Sequence, residues 1–221
     1  MRYSWCVLLV LAVCLPLSAA NVCISGNTLD TYVALGATGC TIGGLTVKDF
    51  VFSVGTFGGG DTPIADTDIT VITHFPVGGF GLEFQSSGFS VTGSQFVNYL
   101  IAYTWDPTGD MRGASDILDP GTSDIVTDLC IGAAFGVGPS CAGTPGSLHV
   151  FQGGGPSQLT DTTFFAPVAV LGMRNNIALT SNGSFNSIEN DVFIPEPGTV
   201  GVVMAGLVGL ALRRSRTALR D

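Results

Sequence analysis

Basic residues are the scarcest chemical class in this sequence. The 221 residues contain 8 Lys and Arg against 17 Asp and Glu. Only Lys48, Arg112 and Arg174 are basic between Asn21 and Ile194, where 15 acidic residues give a formal charge of 3 − 15 = −12. Because a surface of this charge repels phosphate backbones, the composition argues against nucleic-acid binding, and we expect no nucleic-acid partner.

The sequence also lacks the short motifs of common enzymes. It contains no Gly-x-Ser-x-Gly, no His-Glu-x-x-His, no phosphate loop and no Gly-x-Gly-x-x-Gly after a strand pattern. Its two histidines, His74 and His149, alternate with apolar neighbours, which is typical of surface or hydrogen-bonded histidines. We therefore assign no catalytic residue, no metal ligand and no cofactor, and predict that the protein is not an enzyme.

Long amphipathic helical patterns are missing as well, and alternation with a period of two takes their place. The longest run spans 97–105 and predicts a central strand with Val97, Ile101 and Trp105 on one face. Eight further runs have a similar pattern: 50–54, 69–75, 80–85, 125–131, 148–151, 164–173, 177–180 and 184–193. Short strands separated by Gly and Pro turns predict an all-β fold, an antiparallel two-sheet β-sandwich that is jelly-roll-like. A β-helix is the alternative fold.

The N-terminal segment has the layout of a signal peptide. Arg2 supplies a positive charge, Trp5 to Leu15 an apolar core, and Ser18-Ala19-Ala20 a small-residue site that predicts cleavage before Asn21. We therefore expect residues 1–20 to be a signal peptide and residues 21–194 to form one exported domain.

The C-terminal segment combines three features in order. The motif Pro195, Glu196, Pro197 precedes an apolar run from Gly198 to Leu212, and a basic cluster follows, formed by Arg213, Arg214 and Arg216. As a helix the apolar run would measure about 22 Å, which is short for a membrane core of about 30 Å. The arginines favour a cytoplasmic end, with everything before the helix on the other side of the membrane.

This C-terminal order resembles the PEP-CTERM sorting signal of Gram-negative bacteria. The resemblance implies that residues 195–221 are recognised by an exosortase-type processing enzyme and that the protein crosses the inner membrane. It also implies C-terminal anchoring, transient or permanent, followed by a cell-surface or extracellular location. An ordinary single-pass anchor that is never cut is the alternative.

Four cysteines remain after removal of the predicted signal peptide: Cys23, Cys40, Cys130 and Cys141. An even number of cysteines in an exported chain predicts two disulfides, for which three connectivities exist. Proximity in the chain favours Cys23 with Cys40 and Cys130 with Cys141. A metal site formed by the four cysteines is disfavoured because no Cys-x-x-Cys pair occurs.

Two acidic clusters offer the oxygen ligands that calcium binds. One contains Asp61, Asp66 and Asp68; the other is expected in a loop after Trp105 and contains Asp106, Asp110, Asp116 and Asp119. Neither cluster follows the EF-hand pattern, so we expect solvated carboxylates, with calcium as a weak alternative.

The favoured function is a non-enzymatic surface or matrix protein linked to exopolysaccharide, biofilm or the cell envelope, with exopolysaccharide as a partner. The alternative is a carbohydrate-binding module in which Trp105, Tyr99 or Tyr103 stacks on sugar rings. A secreted hydrolase with an unassigned carboxylate pair is the least favoured function.

Overall fold

The computed structural model describes residues 21–58, 62–107, 110–136, 138 and 140–194. The predicted signal peptide at 1–20 and the predicted sorting signal at 195–221 lie outside these ranges. Within them, no helix combines the length and apolar character needed to cross a membrane.

Twelve strands form two six-stranded sheets in the described part of the chain. In spatial order, sheet I contains β2 (Cys40–Ile42), β3 (Leu45–Gly58), β6 (Phe96–Pro107), β11 (Leu171–Thr180), β8 (Ser123–Ile131) and β9 (Thr144–Gln152). Sheet II contains β1 (Asn27–Thr28), β4 (Thr70–His74), β5 (Gly79–Gln85), β12 (Ser187–Phe193), β7 (Met111–Leu118) and β10 (Thr160–Val168). A short helix α1 (Leu29–Ala34) and 3-10 turns at Gly36–Thr38 and Asp66–Asp68 complete the described elements.

The strand pairings within both sheets are antiparallel. Most connections between consecutive strands, such as β6 to β7 and β7 to β8, pass from one sheet to the other, as in a jelly-roll-like sandwich. The all-β, two-sheet antiparallel sandwich predicted from the sequence is therefore confirmed.

The core lies between the sheets and follows the predicted alternation. The run over 97–105 is strand β6, third of six strands in sheet I, and its alternate side chains are 5 % exposed or less: Val97, Tyr99, Ile101, Tyr103 and Trp105. Facing them from sheet II are buried apolar side chains of β4, β5, β7 and β12, including Val71, Leu82, Phe84, Leu118 and Val192. Burial of alternate side chains from both sheets produces the sandwich.

Several strand predictions were wrong in detail. The run over 164–173 is divided between β10, which ends at Val168, and β11, which begins at Leu171 and includes the separately predicted 177–180. Strand β7 was missed, because Gly113, Ser115 and Asp116 interrupt its apolar pattern. The run over 69–75 is shortened at its end: β4 ends at His74 and Phe75 is exposed.

Both favoured disulfides are present. Cys23–Cys40 joins the start of the described chain to β2, and Cys130–Cys141 closes the loop that follows β8. This pairing was predictable because the paired cysteines are near neighbours in the chain, with sequence separations of 17 and 11 residues.

Candidate functional site

The outer face of sheet II, which points away from the core, carries two rows of side chains at matching register. One row runs across five strands and is mostly polar: His74, Gly81, Asp191, Ser115 and Thr162. The next row contains Ile72, Glu83, Glu189, Ile117 and Thr160. Period-two alternation places these residues on one face, because the residues between them on β5, β7 and β12 point into the core. We refer to the two rows as the polar face.

One imidazole and two carboxylates meet on the polar face. His74 Nε2 lies 2.8 Å from Glu189 Oε1 and 3.0 Å from Asp191 Oδ1. The three ligand atoms lie within 4.8 Å of one another, and these residue types are ones that hold divalent cations. His74 ends β4, whereas both acidic residues belong to β12, so the contact depends on the order of strands in the sheet.

Glycine at position 81 opens the space in which these groups meet. Gly81 on β5 is the register partner of both His74 and Asp191, and β5 lies between the strands that carry them. A Cβ atom at Gly81 would lie 2.1 Å from Asp191 Oδ1 and 2.5 Å from His74 Nε2. Any other residue would therefore fill the gap across which the imidazole and the carboxylate face each other.

Asp191 is the most buried member of this cluster. Its side chain is 3 % exposed, against about a quarter for His74 and Glu189. Although the atoms are close, neither His74 Nε2 nor Asp191 Oδ1 makes a hydrogen bond of acceptable geometry within the described residues. Burial raises the pKa of Asp191 well above its ordinary value, and the neighbouring Glu189 raises it further.

A cleft of about 750 Å³ begins beside this cluster and shares Glu189 with it. Most of its lining side chains are polar and come from several elements: Asp68, Thr70, Glu83, Gln85, Ser86, Ser87, Asp119, Asn186, Ser187 and Glu189. Ile117, Leu118 and Pro120 contribute the apolar part. Glu83 and Glu189 lie directly opposite each other on β5 and β12, an arrangement of like charges that opposes folding.

A second polar cluster lies in the core between the sheets. Asn190 of β12 accepts hydrogen bonds at Oδ1 from Tyr103 (2.9 Å) and Asn175 (2.6 Å), and its Nδ2 donates to Asp116 Oδ1 at 2.8 Å. Thr127 donates to Asn175 Oδ1 at 2.6 Å. These contacts link β6, β8 and β11 of sheet I to β7 and β12 of sheet II.

Asp116 is the ionisable end of this buried cluster and is fully buried. Loss of solvation raises its pKa to about 7, although the hydrogen bond from Asn190 partly offsets that effect. Its Oδ2 atom has no hydrogen-bond partner among the described residues. The prediction that Asp116 lies in a solvated loop was wrong, because β7 carries this residue into the core.

Sheet I presents a different outer face. Lys48 pairs with Asp106, Arg174 Nε donates to Asp128 Oδ2 at 3.1 Å, and the Arg174 guanidinium lies 4.6 Å from the centre of the Phe135 ring. His149 Nε2 lies 2.8 Å from Asp124 Oδ1, in agreement with its interpretation as a surface histidine. Here three carboxylates, those of Asp106, Asp124 and Asp128, each lie beside one basic group.

The aromatic residues suggested for sugar stacking do not form a binding surface. Tyr99, Tyr103 and Trp105 are at most 2 % exposed and pack in the core, where Tyr103 stacks on Phe50 at a ring-centroid distance of 5.3 Å. A sugar ring cannot reach them without unfolding the sandwich. Alternation along β6 indicated their burial, because all three lie on the same face as Val97 and Ile101.

The predicted acidic clusters are dispersed as well. Ala65 N donates to Asp68 and Thr67 N to Asp66, so these two carboxylates satisfy backbone groups of their own turn. Asp61 lies outside the described residues. Of the second cluster, Asp106 pairs with Lys48, Asp119 accepts a hydrogen bond from Asn186, and Asp116 is in the core. The expected single acidic loop after Trp105 is therefore wrong.

Glu189 and Asp191 were missed by sequence reasoning, although a signal was present. They alternate within the predicted strand over 184–193, which places both carboxylates on one face. What could not be read from the sequence was that this face adjoins His74 across Gly81.

Comparison with known proteins identifies the C-terminal part of the chain. Residues 193–216 match the PEP-CTERM protein-sorting motif. The chain therefore contains a PEP-CTERM sorting motif, as its resemblance indicated, and the motif begins at Phe193, the last residue of β12. Such a motif implies processing by an exosortase, export, and C-terminal anchoring with display at the cell surface.

No curated protein matches the sequence at a significant level. Among solved structures, TmCBM61 in complex with beta-1,4-galactotriose has a TM-score of 0.32 at 9 % identity, over 67 % of this chain and 88 % of that chain. The enzymatically active domain of bacteriophage CBA120 tailspike protein 4 has a TM-score of 0.29 at 11 % identity, over 64 % of this chain and 19 % of that chain. TM-scores of this size do not establish a common fold or ligand.

Proposed function

We propose that this chain is a non-enzymatic surface or matrix protein, released or displayed outside the cell by exosortase processing and associated with exopolysaccharide or biofilm. The match of residues 193–216 to the PEP-CTERM sorting motif carries the proposal. The matched segment begins at Phe193, the last residue of β12, so the β-sandwich is the part that the sorting signal delivers.

Two properties of the sandwich support an extracellular location. Its two disulfides are of the kind that persist in oxidising compartments. Its strongly acidic composition keeps the domain soluble and away from anionic lipid surfaces.

The test is the intact mass of the protein recovered from the envelope and culture medium of its native host. We expect a species that begins at Asn21, ends near Pro197 and retains both disulfides. Replacement of Pro195, Glu196 and Pro197 by alanine should hold the full tail in the inner membrane, whereas Thr217→Ala, outside the matched residues 193–216, should be processed normally. An uncut tail in the wild type, or equal processing of the motif variant, would contradict the proposal.

The cleft on the polar face favours a second function, a carbohydrate-binding module. Its Asp, Glu, Gln and Asn side chains are the hydrogen-bonding groups that sugar hydroxyls require, and its lining differs from the stacking mode expected from the sequence. Binding of host exopolysaccharide would then be lost in Asn186→Ala and retained in Asn176→Ala, since Asn176 lies on the outer face of sheet I. Equal binding by both variants and the wild type would count against this cleft.

A further inference from the structure

We propose that His74, Glu189 and Asp191 form a binding site for one divalent transition-metal ion of the zinc type on the outer face of sheet II. The proposal does not depend on sorting or on carbohydrate binding. It rests on ligand type, on the convergence of the ligand atoms, and on the gap at Gly81.

The ligand set selects the class of ion. One imidazole nitrogen with two carboxylate oxygens is a set that zinc and neighbouring first-row metals accept, whereas calcium and magnesium prefer oxygen ligands alone. Three protein ligands also leave a coordination position for water or an external group.

The distances fit a site of this size. Ligands bound tetrahedrally at about 2.0–2.1 Å from zinc lie about 3.3 Å apart. Glu189 Oε1 and Asp191 Oδ1 lie 2.8 and 3.0 Å from His74 Nε2, so both pairs need to separate by only a few tenths of an ångström. Glu189 and His74 are each about three-quarters buried and can make that adjustment at the surface.

The position of Gly81 adds an independent indication. A Cβ at this position would lie 2.1 Å from Asp191 Oδ1 and 2.5 Å from His74 Nε2, which is closer than non-bonded atoms approach, so any larger residue would push the two ligand groups away. Glycine thus allows the imidazole and the carboxylate to converge over the backbone of β5.

Hydrogen bonding gives a further indication. The Asp191 side chain is only 3 % exposed, that is, 97 % buried. Its Oδ1 atom lies close to the imidazole but makes no hydrogen bond of acceptable geometry. A buried carboxylate oxygen that makes no hydrogen bond is costly, and coordination to a cation removes that cost. Within the described residues, the ion pairs of Lys48 and Arg174 are with Asp106 and Asp128 on sheet I, not with these carboxylates.

The experiment is a titration of the purified full-length chain, in detergent and after removal of metal by a chelator, with Zn²⁺ and separately with Ca²⁺. We expect one Zn²⁺ per chain, and Ca²⁺ binding at least about 100-fold weaker, because calcium disfavours imidazole. Co²⁺ as a spectroscopic probe should give a visible absorption band that Zn²⁺ abolishes.

Three variants separate a specific site from general attraction to acidic groups. His74→Gln removes a ligand, and Gly81→Ala keeps all three ligands but fills the gap; each should weaken Zn²⁺ binding at least about 100-fold and abolish the Co²⁺ band. His149→Gln is the matched control, because it removes the other histidine–carboxylate pair and should leave binding unchanged.

Circular dichroism and the intact disulfides verify that each variant is folded. If Gly81→Ala does not fold, His74→Gln against His149→Gln decides the outcome. The proposal is overturned if folded His74→Gln binds Zn²⁺ as the wild type does. It is equally overturned if the wild type binds no Zn²⁺ stoichiometrically, in which case the cluster is an imidazole–carboxylate contact only.

Discussion

On the outer face of sheet I, acidic side chains lie beside single basic partners, in the pairs Lys48–Asp106, Arg174–Asp128 and His149–Asp124. On the outer face of sheet II, a single imidazole, that of His74, faces both Glu189 and Asp191. The first arrangement compensates its charges within the chain. The second leaves negative charge at one place, which is the arrangement that attracts a cation from outside.

The two sheets also differ in how acidic groups are placed on their inner faces, which form the core. Sheet II contributes Asp116 to the core, and the groups that hydrogen-bond around it are neutral. Among the described residues, the ion pairs of Lys48 and Arg174 belong to sheet I, whereas the acidic groups whose pKa is raised belong to sheet II. The predictions below test that division, from the largest expected effect to the smallest.

Replacement of Asp116 by asparagine should change the free energy of unfolding more than the other variants do, and the size of the change should depend on pH. The pKa of Asp116 is about 7 in the folded protein and about 3.8 when exposed. Because the folded state holds the proton more tightly, the free energy of unfolding should decrease as pH rises from about 4 to 7, by on the order of 4 kcal/mol at most. Asp116→Asn removes that contribution and should be the more stable protein at pH 8.

Chemical denaturation between pH 4 and pH 8 measures this effect. Asp128→Asn on sheet I is the control and should leave the pH dependence in this range in place. Parallel pH profiles for the wild type and Asp116→Asn would contradict burial of an ionisable carboxylate at this position.

Removal of the Cys130–Cys141 disulfide by the double serine variant should destabilise the fold by about 2–4 kcal/mol, since the unfolded chain gains conformational freedom. The equivalent change at Cys23 and Cys40 should cost about 0.4 kcal/mol more, because it opens a longer loop. Denaturation midpoints under non-reducing conditions provide the comparison. Zn²⁺ binding on sheet II should survive the first change, because that loop lies beside sheet I; its loss would show that the two faces are coupled.

Neutralising a carboxylate on sheet I should destabilise the protein. Asp128→Asn removes the charge that pairs with Arg174 and receives a hydrogen bond from Asn176, and we expect a loss of about 1 kcal/mol. Urea denaturation at pH 7 is the measurement. An unchanged midpoint would mean that this pair adds nothing to stability.

Neutralising a carboxylate on sheet II should have the opposite sign. Glu83 opposes Glu189 across β5 and β12, so Glu83→Gln should stabilise the metal-free protein by about 0.2–1 kcal/mol. The gain should shrink in high salt, which screens exposed charges. Destabilisation by Glu83→Gln at low salt would contradict the difference in charge compensation between the outer faces of sheets I and II.

Much of the fold followed from local pattern. The strands at 97–105, 80–85 and 125–131 were predictable because one face of each is apolar and buried. Strand β7 was not, since its inward residue Asp116 is polar and its partners come from other strands. The aromatic residues of β6 lie in the core, as their alternation with the other residues of that strand indicates, and not on a sugar-binding surface as the alternative function required.

The sequence by itself determined the features that are read along the chain. The sorting motif at 193–216 is recognised as a linear segment, the disulfides join near neighbours, and alternation specifies which side chains enter the core. Only the tertiary structure decided that β5 lies between β4 and β12, which brings His74 to Glu189 and Asp191 across Gly81. The physical reason is that strand order depends on how two whole sheets bury their apolar faces, and no local pattern records which strand becomes the neighbour of which.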